Sequence, residues 1–219
     1  AGYSQVPVHI IGSDPGVTAA FNGATHMPFE DGALYMTVPG AVVIDSCDYV
    51  QTKSLTKKLA EYPKLSYMRL IRKNFKTIYA DGSEFEIGKG VTLKDGKDVT
   101  IIASGIMLDE ALRAEEILSA EGISARVIDM HTWKPIDEEL ICKAAEETGC
   151  IVTAENHQVG CGLGSAVANV LVANKPVPME RVGIQDRFGQ VGPQDFLMKE
   201  YNLMAEDIVE AVKKVISRK

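Results

Sequence analysis

Apolar positions recur along the chain in two rhythms. Short runs at residues 6–11 (VPVHII), 41–45 (AVVID), 66–71 (SYMRLI), 99–103 (VTIIA), 125–130 and 150–154 (CIVTA) predict strands, and the continuous run at 41–45 marks one covered on both faces. Between them lie segments of helical period. Met107, Ala111, Ala114 and Leu118 recur at spacings of four, three and four and predict a helix that Gly122 ends. Asp48 is placed to cap a helix running through Leu59, and a helix runs from Ile136 through Ala144. A short helix is expected after Pro28 through Ala33 and Met36, another through Ala168 and Leu171, and a terminal one that buries Ile208, Val212 and Val215. A strand at 180–184 lies between the last two. Strands alternating with helices imply parallel α/β sheets with right-handed crossovers.

Two stretches break the alternation. Residues 12–25 carry Pro15, Gly16 and Gly23 and neither period, the mark of a functional or mobile loop. Residues 73–98 are rich in Lys, Asp, Glu and Gly, with a short alternation at Glu84–Ile87, and read as a linker with a hairpin.

The 219 residues carry a net charge of -7, so nucleic acid and anionic membranes are poor partners, and any anionic ligand needs a local cluster of donors. No apolar run reaches a membrane span and no signal-peptide pattern is present. Cys47, Cys142, Cys150 and Cys161 lack metal-ligand spacing and fit reduced thiols in a cytoplasmic protein. The opening Ala1-Gly2-Tyr3, without Met and just before a strand, is what a processed, truncated or partly ordered chain would show.

Several groups are candidates for chemistry. Gly160-Cys161-Gly162-Leu163-Gly164 follows a strand and opens a helix, as dinucleotide loops do, but its spacing departs from Gly-x-Gly-x-x-Gly and fits a tight turn better. Glu155, His157 and Asp186-Arg187 follow strand ends, where open α/β sheets gather ligands and where solvated charges also collect. His131, beside Trp133 and Pro135, reads as a packed histidine. His26 closes the long loop, and an imidazole near neutrality can donate to an oxyanion or move a proton. Arg69, Arg72 and Asn74 at the end of a strand could hold a phosphate, and Arg72 could equally pair with Glu30 or Asp31.

Taken together, these segments resemble the transketolase superfamily, particularly the C-terminal subunit of split bacterial transketolases. The resemblance rests on Gly23-Ala24-Thr25-His26 with Glu30-Asp31, Val38-Pro39-Gly40, Arg72-Lys73-Asn74, Phe85-Glu86-Ile87-Gly88-Lys89, the run Val127 to Asp137, Thr153-Ala154-Glu155-Asn156-His157, Gly162-Leu163-Gly164-Ser165 and Asp186-Arg187-Phe188-Gly189. It implies that residues 1–75 are the latter part of a pyrimidine-binding α/β domain, 76–97 a linker, and 98–219 the transketolase C-terminal domain.

It further implies transfer of a two-carbon ketol unit between sugar phosphates, with thiamine diphosphate and Mg²⁺ in the complete enzyme. The Gly-Asp-Gly…Asn metal motif and the glutamate facing the cofactor are missing, so none of the cofactor is expected on this chain alone. An N-terminal transketolase subunit or a missing N-terminal segment would supply the rest, in a homodimer or heterotetramer. By resemblance His26 contacts the cofactor-bound donor and Arg72 pairs with the sugar phosphate. Two positions depart from the family. Asp14 stands where a phosphate-contacting histidine is expected, and Asn22 where an aspartate reads a substrate hydroxyl. Asp14 is expected either to repel a phosphate, by roughly 4 kcal/mol at an effective dielectric of about 20, or to point into solvent. Other readings are a 1-deoxyxylulose-5-phosphate synthase, a 2-oxo acid dehydrogenase β subunit, or a non-catalytic assembly subunit.

Overall fold

In the computed structural model, which describes residues 1–73 and 75–219, the chain builds two α/β layers, the second of which lends a strand to the first. The first sheet has the order β1-β3-β2-β7 and the second β4-β6-β5-β8-β9. In the first, β1 (His9–Ser13), β3 (Ser66–Leu70) and β2 (Val42–Asp45) run parallel. In the second, β6 (Ala125–Asp129), β5 (Val99–Ala103), β8 (Ile151–Gln158) and β9 (Met179–Ile184) run parallel.

The helices form where the pattern places them. In α3 (Met107–Ala120), Met107, Ala111, Ala114 and Leu118 are all fully buried. The Asp48 carboxylate caps α2 (Tyr49–Ala60), accepting from Gln51 N at 2.8 Å. Helix α4 (Glu138–Thr148) starts two residues later than Ile136, because Asp137 caps it by accepting from Leu140 N at 3.2 Å. Helices α1 (Asp31–Met36), α5 (Leu163–Asn174) and α7 (Ala205–Ile216) complete the expected set, and α7 buries Ile208, Val212 and Val215.

Three features differ from the pattern. The stretch 73–98 holds no hairpin among its described residues. Its one strand, β4 (Val91–Lys94), joins the edge of the second sheet antiparallel to β6. The rest is packed down: Asp48 also accepts from Ile78 N and Tyr79 N at 2.9 Å each, and Phe85 is buried against Val42, Ile44 and Leu55. The second difference is β7 (Thr132–Lys134), which leaves the second half and pairs antiparallel with β2. Lys134 Nζ then donates to Met36 O and Val38 O at 2.6 and 2.7 Å. The third is α6 (Gln194–Glu200), a short helix too polar to stand out in the sequence.

Candidate active site

The long loop after β1 begins at Asp14, whose backbone takes a left-handed φ of 57°. Its N–H donates to Leu70 O at 2.8 Å, tying the ends of β1 and β3 together. The carboxylate is buried, accepts from Arg72 N at 3.2 Å and pairs with Arg72 Nε. Arg72 therefore pairs with neither Glu30 nor Asp31, and Asp14 does not point into solvent. The two expected substrate-binding residues form one neutral pair, with 63% of the Arg72 side chain exposed.

Beyond Asp14 the loop is shaped from the other half of the molecule. Asn156, at the end of β8, accepts from Val17 N at 3.0 Å and donates to Pro15 O at 2.9 Å. Gly16, with φ 56°, lies so close that a Cβ would stand 2.1 Å from Asn156 Oδ1. The loop then makes two short 3-10 turns, Gly16–Asn22 and Ala24–His26. Asn22 and His26 are exposed on them, and His26 Nδ1 shares a hydrogen bond with Thr25 Oγ1 at 2.9 Å. The turns are anchored by Met27 and Phe29, which sink into the core beneath α6, with Phe29 edge-on to Tyr201. Among the described residues, no hydrogen bond or ion pair joins His26 or Asn22 to the Asp14–Arg72 pair.

Arg72 and Lys73 border a cleft of about 540 Å³ at the carboxyl ends of β2 and β3, walled by Tyr49, Thr52, Leu70, Ile71 and Phe75. That end of a parallel sheet is where such folds bind ligands. Cys47 also lines the cleft, but burial, reinforced by Asp129, pushes its thiol far above the usual range, so it is no nucleophile.

Arg69 is not available to a ligand. It is fully buried, donates to Asp31 at 3.0 Å and to Asn156 O at 2.9 Å, and forms an ion pair with Asp45 at 3.3 Å, and its guanidinium lies 5.1 Å from the Trp133 ring centre. Burial works against its charge, yet the two carboxylates hold its pKa above the ordinary value. Burial likewise pushes Asp31 upward, but Arg69 and Tyr67 overcome it and the carboxyl sits below its usual range. For Asp45 burial wins and the pKa is raised. Asn74 lies outside the described residues.

The second half contributes structure rather than anion binding. Glu155 is buried, which pushes its pKa up to about 8, and its carboxyl group accepts from Leu163 N and Gly164 N at 2.7 and 2.8 Å, occupying the helix N-terminus that a phosphate would use. A Cβ on Gly162 would stand 1.9 Å from Glu155 Oε2, which is why the turn is glycine-rich. His157 is pushed down to about 4 by burial and by Arg69. It is therefore neutral near pH 7, accepting from Ala33 N at 3.4 Å and bonded through Nδ1 to Gln158 O at 3.0 Å. His131 is buried, with Nε2 3.1 Å from Glu86 O, as a packed histidine should be. Among the described residues no three His, Cys, Asp or Glu side chains converge where a metal ion could sit.

The profile of the transketolase pyrimidine-binding domain matches residues 1–77, and that of the transketolase C-terminal domain matches residues 88–208. With both domains matched in order, the chain belongs to the transketolase family and is its C-terminal part. It is 44% identical over 217 residues to the 6-deoxy-6-sulfo-D-fructose transketolase subunit SqwH of Clostridium sp. (strain MSTE9), covering 99% of this chain and 67% of the relative. It is 41% identical to a subunit of the apulose-4-phosphate transketolase of Phocaeicola vulgatus, covering 99% of this chain and 69% of the relative. A solved split-gene transketolase, an inactive beta4 tetramer, superposes with a TM-score of 0.90 at 42% identity, over 98% of this chain and 68% of that one. The chain spans about two thirds of the length of these relatives.

The sequence pointed to Asp14, Asn22, His26 and Arg72, and only Asp14 and Arg72 meet. It did not single out Asn156 as a holder of the loop. The available signal was Asn156 itself, a buried-type strand ending in an amide between Glu155 and His157.

Proposed function

We propose that this chain is the substrate-loop component of a thiamine-diphosphate-dependent transketolase that moves a two-carbon ketol unit from a ketose to an aldose. The observation that carries the proposal is the loop between β1 and α1, which sets an exposed imidazole, His26, on a turn anchored from below by Met27 and Phe29. It also opens beside the Arg72 guanidinium at the mouth of a sheet-end cleft. His26 would hold or move a proton at a substrate oxygen. Arg72 would bind the far end of the sugar, and Asn22 a hydroxyl between them.

The cofactor and its metal would be held by an N-terminal transketolase subunit or segment, paired with this chain in a homodimer or heterotetramer. The relatives bear names that refer to a sulfonated sugar and to a sugar phosphate, so the terminal group is not common to them. Those names are all of transketolases, which favours ketol transfer over a synthase or oxo-acid dehydrogenase role. No described helix is long and apolar enough to cross a membrane. In the complete enzyme, His26→Ala is expected to lower kcat by about 100-fold or more, the usual worth of a general acid–base group. A kcat within about threefold of wild type would remove His26 from the chemistry.

A further inference from the structure

The Asp14–Arg72 pair has a consequence for the substrate. Asp14 is held from three sides: its N–H bonds Leu70 O, its carboxylate takes Arg72 N, and the same carboxylate meets Arg72 Nε. The loop on its far side is clamped by Asn156. The Asp14 side chain is 5% exposed and the Arg72 side chain is largely open. An arginine meant to bind a dianion gains from being alone or beside a second cation. Here the charge of Arg72 is already matched, by a carboxylate that the fold fixes in place. The other cations of the cleft add one unmatched charge among the described residues, that of Lys73. Lys73 reaches away to Gln194 Oε1 at 3.5 Å, and Lys53 shares the cleft with the carboxylate of Asp48. Arg72 therefore presents outward-facing N–H donors whose charge Asp14 already matches, beside the single positive charge of Lys73.

We propose, building on the function proposed above, that the Asp14–Arg72 pair is a specificity element: it selects sugar acceptors whose terminal group is uncharged or singly charged over phosphate dianions. Donors whose charge is already matched suit hydroxyls, and the single charge of Lys73 suits a single anionic charge. A phosphate dianion placed against Arg72 would sit within a few ångströms of a carboxylate that can neither turn away nor be hydrated. Asp14 acts through Arg72 and is a positioning residue.

The test uses the complete enzyme, this chain with the cofactor-bearing transketolase partner, and compares kcat/KM for ribose 5-phosphate and for ribose as acceptors. In the wild type, ribose is expected to match or exceed the phosphate. Asp14→Asn keeps the shape, keeps an acceptor for Arg72 N and tolerates a left-handed backbone. It is expected to raise the phosphate-to-ribose ratio about tenfold by freeing the charge of Arg72. Asp14→Gly also suits the positive φ and serves as the second variant should the amide fold poorly. A simple loss of packing would lower both acceptors together and leave their ratio unmoved. A wild type that prefers the phosphate, or a ratio shifted by less than about threefold in a folded variant, overturns the inference. Ketol transfer to neither acceptor in the wild type overturns the functional reading as well, whereas transfer with an unmoved ratio overturns this inference alone.

Discussion

Asn156 Oδ1 accepts a hydrogen bond from Val17 N at 3.0 Å, across 139 residues of chain. Its amide nitrogen donates to Pro15 O at 2.9 Å, so one side chain satisfies both faces of the turn that follows Asp14. The C-terminal half therefore shapes the loop that carries the candidate chemistry, although it contributes none of the candidate groups itself.

Asn156→Asp replaces the donor facing Pro15 O with an acceptor, and Asn156→Ala leaves both backbone groups buried and unpaired. Either change is expected to lower stability by about 1–3 kcal/mol and to raise the acceptor KM more than it lowers kcat. Thermal melts with acceptor titrations in the complete enzyme check this. A variant that loses stability but keeps a wild-type KM would show that the loop holds its shape without the amide.

The Gly-rich turn makes a sharper structural prediction. In Gly162→Ala the new methyl meets the Glu155 carboxylate at 1.9 Å, in a place where neither backbone nor carboxylate has room to yield. Destabilisation of about 2 kcal/mol or more is expected by denaturant titration. Gly160→Ala, where a Cβ meets nothing within 4 Å, is the control and is expected to be near neutral.

A pH dependence follows from His157. Burial and Arg69 hold its folded pKa at about 4, below the 6.5 of the free side chain. The unfolded chain therefore binds the extra proton between those values. Stability is full above about pH 6.5 and is lost as pH falls toward 4, by about 3 kcal/mol from this group. The facing carboxylate of Asp31, with Oδ1 at 4.0 Å, moderates the loss by favouring the imidazolium, whereas Glu155, Oε2 at 3.8 Å, is pushed up to about 8 by burial and carries no charge in that window. Urea titrations at pH 7 and pH 5 are expected to differ less in His157→Gln than in wild type. An equal pH difference in both would remove His157 as the cause.

The strands were legible where burial on both faces writes itself as an unbroken apolar run: Val42–Asp45 is entirely buried, as the run at 41–45 suggests. Strand β7 was hidden because three residues reading Thr-Trp-Lys carry no period, and only the pairing with β2 makes them a strand. Strand β4 was lost in a charged stretch whose alternation at Val91–Lys94 is short and half exposed. For the site, a carboxylate beside a loop glycine gives no hint whether it faces solvent or a guanidinium. Asp14 and Arg72 are joined by tertiary placement of two strand ends, which no local pattern records. The same limit made Arg69 resemble a ligand-binding arginine when it is a buried tie among Asp31, Asp45 and Asn156.

The C-terminal layer is expected to fold by itself, since its strands and helices supply most of the two cores they build, which Met27 and Phe29 on one side and Val43 and Tyr67 on the other complete. The boundary matters. A fragment of residues 98–219 lacks β4, which covers the β6 edge, whereas residues 88–219 retain it. Both are expected to melt cooperatively, the shorter one at lower temperature. A non-cooperative trace for both would dissolve the assignment of 98–219 as an independent domain.

On the proposed function this chain supplies one part of a divided ketol-transfer site, which a mixing assay measures most directly. Two-carbon transfer from a ketose to an aldose is followed by product chromatography, with thiamine diphosphate and Mg²⁺ present, for this chain alone, for a cofactor-bearing N-terminal transketolase subunit alone, and for the two combined. Activity is expected only in the mixture, with calorimetry showing only weak cofactor binding to this chain by itself. Transfer by this chain alone, or micromolar cofactor binding without the partner, would contradict the division of the site.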